Sequence, residues 1–473
     1  MTLEHPREHC GLCGVSGGES VLALTHLGLH ALQHRGQEAA GVMLAGGGTC
    51  FLHRARGLVD DAFDGLPPVM RGLAAERAIA HVRYSTAGDS SAANAQPLMV
   101  EIAGQKLGIA HNGTLCNAAS LRLELLADGA ILQTTSDTEL VLHLIARALR
   151  KRPATQLWDA VAESLTRLKG AYAFLLLTKD CMAAVRDPMG FRPLSIGDLP
   201  DDGCLVASET IAHTVTGARP VREVEPGEMV IWGPGGRVES RRFAPCVRRA
   251  HCIFEHVYFA RPGSYVFGDS VYEVRKAMGR QLAREAPVAA DVVIPVPDSG
   301  TFAALGFAEE SKLPFDMGFT RNHYVGRTFI DPGQRLSRRK LVARKLQPIA
   351  EAVAGRRVCL VEDSIVRGNT CQARVRTLRD AGAREVHMRV SCPPHRCGCY
   401  FGIDFPESGQ LLANQAPLEQ MRERLRLDSL AYLSKDGMLS CVRRYRPEDY
   451  CCACFDGRYP VEPDTLDERP LPC

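Results

Sequence analysis

The sequence predicts an α/β protein of two unlike halves. Three observations carry that prediction. The first half, to about residue 240, interleaves short β-type runs with helical patterns between Gly and Pro turns, which describes a mixed α/β layer sandwich. The second half repeats strand, turn and helix, which implies a parallel, doubly wound sheet. At 473 residues the chain is too long for one ordinary core, and its 45% apolar residues can supply more than one.

The elements follow in order. "SVLALTHLGLHALQHRG" (20–36) and "DTELVLHLIARALRK" (137–151) have helical spacing. Strand candidates are "RAIAHVRYST" (77–86), "KLGIAHNG" (106–113), "GAYAFLLLTKD" (170–180), "CLVASET" (204–210) and "EMVIWG" (228–233). A boundary is expected near 235–250, around "GPGGRVESRRFAPC". Beyond it, "ADVVIPVPDSG" (290–300) is an apolar strand ending in a turn, followed by the helix-like "TFAALGFAEES". "RRVCLVEDSIVRGNT" (356–370) is another such strand, ending in two acids and a glycine loop. The helix-like "CQARVRTLRDAG" comes next, with Gly382 as its stop, then the strand "EVHMRVS" (385–391). Ligands of such a sheet sit at the carboxyl ends of its strands.

Composition excludes several classes. Lys and Arg total 57 against 54 Asp and Glu, a net charge of +3, which is too balanced to suggest nucleic-acid or membrane binding on charge alone. No apolar run approaches the roughly 18 residues that span a bilayer. "MTLEHPREH" has no basic-then-apolar signal pattern, so a cytoplasmic location is expected. In that compartment the 18 cysteines are expected as thiols, nucleophiles or metal ligands rather than disulfides.

In "LVEDSIVRGNT" the strand leads into Glu362 and Asp363, then Ser364, Gly368, Asn369 and Thr370. Backbone N–H groups of such a loop at a helix N-terminus cradle an anion. The two acids suit ribose hydroxyls or Mg²⁺. The stretch resembles the 5-phosphoribosyl-1-pyrophosphate (PRPP) signature of the type I phosphoribosyltransferases. By that resemblance the acids meet the ribose diol and the loop holds the 5-phosphate. The usual acid pair is two aspartates, and this chain has Glu362 in the first place. "VPDSG" (296–300) is similar to the family's pyrophosphate loop, with Asp298 against PRPP and Ser299 on the Mg²⁺ side. "RNHYVGRTFI" (321–330) resembles a lid, in which Tyr324 and Arg327 would help seal the site and exclude water.

"LQHRGQEAAG" (32–41), "HVRYSTAG" (81–88), "AHNGTL" (110–115) and "TTSDTE" (134–139) together resemble a class II glutamine amidotransferase domain, an N-terminal-nucleophile αββα sandwich. With the PRPP loop behind them, the chain from about residue 8 to 460 resembles the glutamine PRPP amidotransferase family. The resemblance implies a cysteine that attacks the glutamine carboxamide, with its own α-amine as base. It implies Asn112 and Gly113 as oxyanion donors, Arg83 on glutamine's α-carboxylate and Asp137 on its α-ammonium. Taken singly, these residues have plainer readings. Asn112-Gly113 would be a hairpin turn, Arg83 a surface strand residue, and Asp137 a helix N-cap, with Ser136 competing for that place.

"EHCGLCGVSG" (8–17) offers two cysteines. His34 of "HRGQE" lies 24 residues beyond Cys10, the family's separation, so Cys10 is the expected nucleophile and Cys13 a small buried apolar residue. Residues 1–9 are then a propeptide cleaved between His9 and Cys10, because an α-amine is needed. If uncleaved, they leave a dead glutaminase. The expected domains are 10–240 and 241–473.

Some members of this family carry a propeptide and a [4Fe–4S] cluster. The resemblance, with Cys451-x-x-Cys454 as a chelating pair, implies Cys252, Cys399, Cys451 and Cys454 as structural ligands, with Cys452 and Cys397 as alternatives and zinc as the rival metal. The implied reaction forms a γ-glutamyl thioester, passes ammonia internally, and displaces pyrophosphate from C1 of PRPP with Mg²⁺ on the leaving group. The first step of purine synthesis, a homo-oligomer (dimer or tetramer) and feedback by purine nucleotides come with it. Two other readings stay open. One is a PRPP- or purine-sensing regulator without catalysis. The other is a different glutamine-dependent transferase, which would lack the "EDSIVRGNT" loop.

Overall fold

The computed structural model of the chain describes residues 10–84, 92–152, 156–322 and 346–464. Its first half is built on two antiparallel sheets. In spatial order the first has Arg219–Glu223, Ser195–Asp198, Cys204–Ala207, Gly11–Ser16, Arg77–Arg83, Ala39–Gly46 and Thr49–Arg56. The second has Val238–Arg242, Glu228–Trp232, Met182–Arg186, Gly170–Leu177, Gln105–Leu115 and Leu98–Ile102.

Strand alternation sorts the side chains into layers. Leu12, Met43, Ile79, Leu175 and Val230 meet between the sheets. Cys13, Val15, Val42 and Ala80 face outward, against a layer that includes the helix Val21–Ala31. Leu107, Ile109, Phe174 and Leu176 face the other way, onto the helices Asp137–Lys151 and Leu157–Leu165. The four layers are helix, sheet, sheet, helix, the expected αββα sandwich. Asp137–Lys151 and Gly170–Leu177 match their sequence patterns within a few residues, the helix by its amphipathic period and the strand as a continuous apolar run buried on both faces.

The second half holds a wholly parallel sheet, Val292–Pro295, Arg357–Glu362, Glu385–Val390 and Ser429–Tyr432 in that spatial order. Phe315 bridges Val293 in parallel, so the chain winds away from the first strand in both directions. The point where the winding reverses lies between Val292–Pro295 and Arg357–Glu362. In an open α/β sheet the ligand crevice forms there, at the carboxyl ends of the two strands. The sequence reading did not include Ser429–Tyr432, a four-residue strand too short to show a period. No helix among the described residues is long and apolar enough to cross a membrane.

Candidate active sites

Cys10 immediately precedes the strand Gly11–Ser16 and is buried. Its Sγ lies 3.9 Å from the carbonyl oxygen of Tyr84. Burial raises the thiol above its ordinary value, and Arg83 nearby opposes that rise. Arg83 ends the adjacent strand and is 5% exposed, so it is no surface residue. Gly36 of "HRGQE" packs on this strand so closely that a β-carbon would stand 2.7 Å from Arg83's backbone. Cys13 is fully buried, its thiol pushed up to about 12, as suits an inert packing residue.

Asn112 and Gly113 lie inside Gln105–Leu115, paired with Ala173 and Tyr172, and not in a hairpin turn. The Asn112 amide donates to Ser208 Oγ at 3.4 Å, and Ser208 Oγ accepts from the N–H of Leu12 at 3.0 Å. Ser208 thereby ties the oxyanion candidate to the strand that follows Cys10. Asn112 Oδ1 is buried without a hydrogen-bond partner. Ser136 is the N-cap of its helix, accepting from the N–H of Thr138, which leaves Asp137 as the first helical residue. Asp137 accepts from the N–H of Leu115 at 2.9 Å and faces His111 Nδ1 at 3.4 Å. Burial pushes its carboxyl up, but His111 and these hydrogen bonds outweigh that and hold it below the ordinary carboxylate value. Gln96 fixes His111 from behind, accepting its backbone N–H at 2.7 Å. Ser208, His111 and Gln96 escaped the sequence reading because each acts through a partner far along the chain.

A buried ionic chain runs from this site into the second half. His34 Nε2 meets Glu209 at 2.7 Å, and Arg35 pairs with both Glu209 and Glu255. Arg192 pairs with Glu255 at 3.1 Å and donates to the carbonyl of Phe401 at 2.9 Å. Glu209 also accepts from the Arg261 N–H and the Ser264 hydroxyl. Burial alone would push the Glu209 carboxyl up; His34 and Arg35 outweigh it and hold it well below its ordinary value. The spacing of "HRG" from Cys10 does not account for its charged pair, His34 and Arg35; these buried contacts do.

At the second site, Asp363 accepts hydroxyl hydrogen bonds from Ser299 and Ser364, so one carboxylate bridges the two loops at the switch point. Gly368, at φ +84°, is the N-cap of Asn369–Asp380, and Asn369 and Thr370 open that helix. Asp298 pairs with Arg321 at the rim. Glu362 is 2% exposed, pairs with Arg374 on the body of the helix, and stands beside Asp363. Tyr324 and Arg327, with the rest of the expected lid from 323, lie outside the described residues, as does the expected propeptide 1–9.

The cysteines gather at the join between the halves. His251–Cys252 pairs in parallel with Tyr450–Cys451. Cys399, Cys451 and Cys454 interact electrostatically with Cys252 and with one another. The Phe401 N–H donates to Cys399 Sγ at 3.3 Å, and backbone N–H groups also reach the sulfurs of Cys252 and Cys451. Arg192 stands beside Cys252 and Cys399. Cys452 is also near Cys252, whereas Cys397 is held by the carbonyl of Cys454 through its own N–H. Among the described residues no group of three or more His, Cys, Asp or Glu side chains is arranged to hold a metal ion. Every cysteine among them is a free thiol.

An αββα sandwich with this set of residues around Cys10, joined to a parallel sheet with a bridged switch-point acid, defines a glutamine amidotransferase carrying a phosphoribosyltransferase-type domain. Residues 81–213 match the glutamine amidotransferase domain family. The chain is 45% identical to the chloroplastic amidophosphoribosyltransferase of Glycine max, over 99% of this chain and 81% of that one. It is 44% identical to the amidophosphoribosyltransferase of Bacillus subtilis (strain 168), over 96% and 94%. The solved B. subtilis glutamine PRPP amidotransferase complexed with ADP and GMP superposes with a TM-score of 0.90 at 42% identity, covering 98% of this chain and 99% of that one. The chain belongs to the amidophosphoribosyltransferase family.

Proposed function

We propose that this chain hydrolyses glutamine at Cys10 and delivers the ammonia to C1 of PRPP, giving 5-phosphoribosylamine, glutamate and pyrophosphate, the first step of purine biosynthesis. The observation that carries the reading is the pairing of two sites in one chain. Cys10, Arg83, Asn112, Gly113 and Asp137 converge in the first half, and Ser299, Asp363, Ser364 and the 364–370 loop converge at the switch point of the second. A sensor that had lost catalysis has no use for the first group, and another glutamine-dependent transferase has none for the second.

Once residues 1–9 are removed, the α-amine of Cys10 takes the thiol proton and the sulfur attacks the carboxamide. Asn112 and the Gly113 N–H stabilise the oxyanion. Arg83 takes glutamine's α-carboxylate bidentately, and Asp137, held ionised by His111, takes the α-ammonium. In the second domain, which we place after Arg242, Asp363 orients the ribose and the helix N-terminus at Gly368 holds the 5-phosphate. Asp363 and the Ser299 hydroxyl are the oxygen donors that would hold a Mg²⁺, and such an ion would supply positive charge to the pyrophosphate leaving group.

The four thiols Cys252, Cys399, Cys451 and Cys454 are not arranged to hold a single metal ion, and we read them as the ligands of a larger [4Fe–4S] cluster. They are drawn together, backbone N–H groups point at three of the sulfurs, and Arg192 offsets negative charge. Such a cluster would be structural, and metal analysis separates iron from zinc. The ADP and GMP on the B. subtilis neighbour support purine nucleotide feedback here. We also read the chain as a homo-oligomer of the cytoplasm, a location supported by its free thiols.

The test is Cys10→Ala, assayed with each nitrogen source. Glutamine-dependent pyrophosphate release should fall by a factor on the order of 10³ or more. Release driven by ammonium chloride should persist. Loss of both activities, or of neither, refutes the two-site reading.

A further inference from the structure

Glu362 occupies the first place of an acid pair that is usually two aspartates, and its extra methylene has a visible consequence. One carboxylate oxygen pairs with Arg374 Nη1. The other, Oε1, is buried away from solvent and has no hydrogen-bond partner. Arg374 stands five residues into Asn369–Asp380, about 7–8 Å along the axis from the helix's first residue. The Glu362 carboxylate is therefore engaged by the body of the helix through Arg374, while it also stands beside Asp363. Its neighbour behaves oppositely, since Asp363 accepts both crevice hydroxyls, Ser299 and Ser364. The charged and titratable groups around Glu362 are Asp363 and Arg374, with the Cys371 and Cys392 thiols behind them. Arg374 is the only one of these that is a cation.

We propose that Glu362 is not a ribose or Mg²⁺ ligand in this chain, but forms with Arg374 a buried positioning pair that fixes the helix Asn369–Asp380 against the end of the strand Arg357–Glu362. The inference rests on the PRPP-site reading above. Strand end and helix start carry Asp363 and the 364–370 loop respectively, so the pair sets the distance between the group that meets the ribose and the cradle that meets the 5-phosphate. Asp363 is left as the one acid of the pair available to the substrate. A buried pair of this kind has a distinctive signature. Removing either partner strands the other as an uncompensated charge, whereas removing both costs far less.

The experiment is a double-mutant cycle on the full chain, titrated with PRPP in MgCl₂ by calorimetry. KM for PRPP and kcat are measured alongside, with ammonium chloride as nitrogen donor. Glu362→Gln and Arg374→Met should each weaken PRPP binding by about tenfold, and the double variant should return to within about threefold of the parent. Arg374→Met should raise KM with kcat nearly constant, since it disturbs binding geometry and not the chemistry. Glu362→Asp restores the usual acid but cannot reach Arg374, so it should also bind weakly. The proposal is overturned if Glu362→Asp binds as well as the parent, if the double variant is as weak as Glu362→Gln, or if both single variants match the parent. Should Arg374→Met fail to fold, the comparison of Glu362→Gln with the double variant still decides. Asp363→Asn is the control. If it binds PRPP like the parent, or the parent binds none, the PRPP-site reading fails, and not merely the pair.

Discussion

Gly113 shows how one residue's geometry can decide between two readings of the same letters. A β-carbon at this position would stand 2.1 Å from the carbonyl oxygen of Ala171, and φ is +145° in the middle of a strand. Gly113→Ala must push the strand off its partner and move the N–H proposed as an oxyanion donor. We expect glutamine-dependent kcat to fall by roughly 10²-fold or more, with a lower melting temperature and the ammonia-dependent reaction retained. Unchanged glutamine kinetics would remove Gly113 from the site. In sequence, Asn-Gly was equally a hairpin signal, because two letters carry no register; only pairing with Ala173 and Tyr172 separates the cases. Cys10 was legible because its distance to His34 is a property of the chain alone. Ser208 and His111 were not, since their importance lies in contacts with Asn112 and Asp137 that only folding creates.

The short 3₁₀ turn Gln33–Arg35 docks on the π-helical turn Glu255–Phe259, and that contact joins the two halves. Arg35 is 1% exposed and serves two buried carboxylates. Arg35→Met would leave Glu209 and Glu255 without their shared cation, though Arg192 still reaches Glu255 and His34 still reaches Glu209. We expect a loss of about 3–5 kcal/mol in denaturant-induced unfolding. Arg35→Lys should recover little, because an ammonium cannot present the fork that two acids require. A loss below about 1 kcal/mol would mean that Arg192 and His34 suffice. Elements of this kind are the least legible from sequence. The long amphipathic helix Asp137–Lys151 declares itself by period, and the strand Gly170–Leu177 by its unbroken apolar run. Turns of three to five residues have no period, and what defines them is the partner they bury.

Across the whole molecule, burial has a price that pH exposes. His81, His213, His256 and His395 are all buried, and burial lowers them to about 3, 4, 3 and 3 respectively. Each stays neutral in the folded chain at any pH above those values. In the unfolded chain each takes a proton below about 6.5. The folded values are the depressed ones, so the stability these groups allow is fully present above pH 6.5 and is lost as pH falls toward 4 and then 3. At pH 5 each histidine costs roughly 2 kcal/mol relative to pH 7.5. They are spread across both halves: His81 lies in the first sheet, His256 in the turn that carries Arg35's partner Glu255, and His395 against Phe455 near the cysteines. Acid should therefore weaken both halves together, well above the pH at which ordinary carboxylates titrate. The check is guanidinium unfolding at pH 7.5, 6.5, 5.5 and 5.0. The midpoint should fall slightly between the first two, as stability drops by about 0.4 kcal/mol for each histidine, and drop steeply below. His395→Gln, which cannot protonate, should flatten that slope by about 1.4 kcal/mol per pH unit. A midpoint constant down to pH 5 would mean that these rings are solvated, or already charged, in the folded protein.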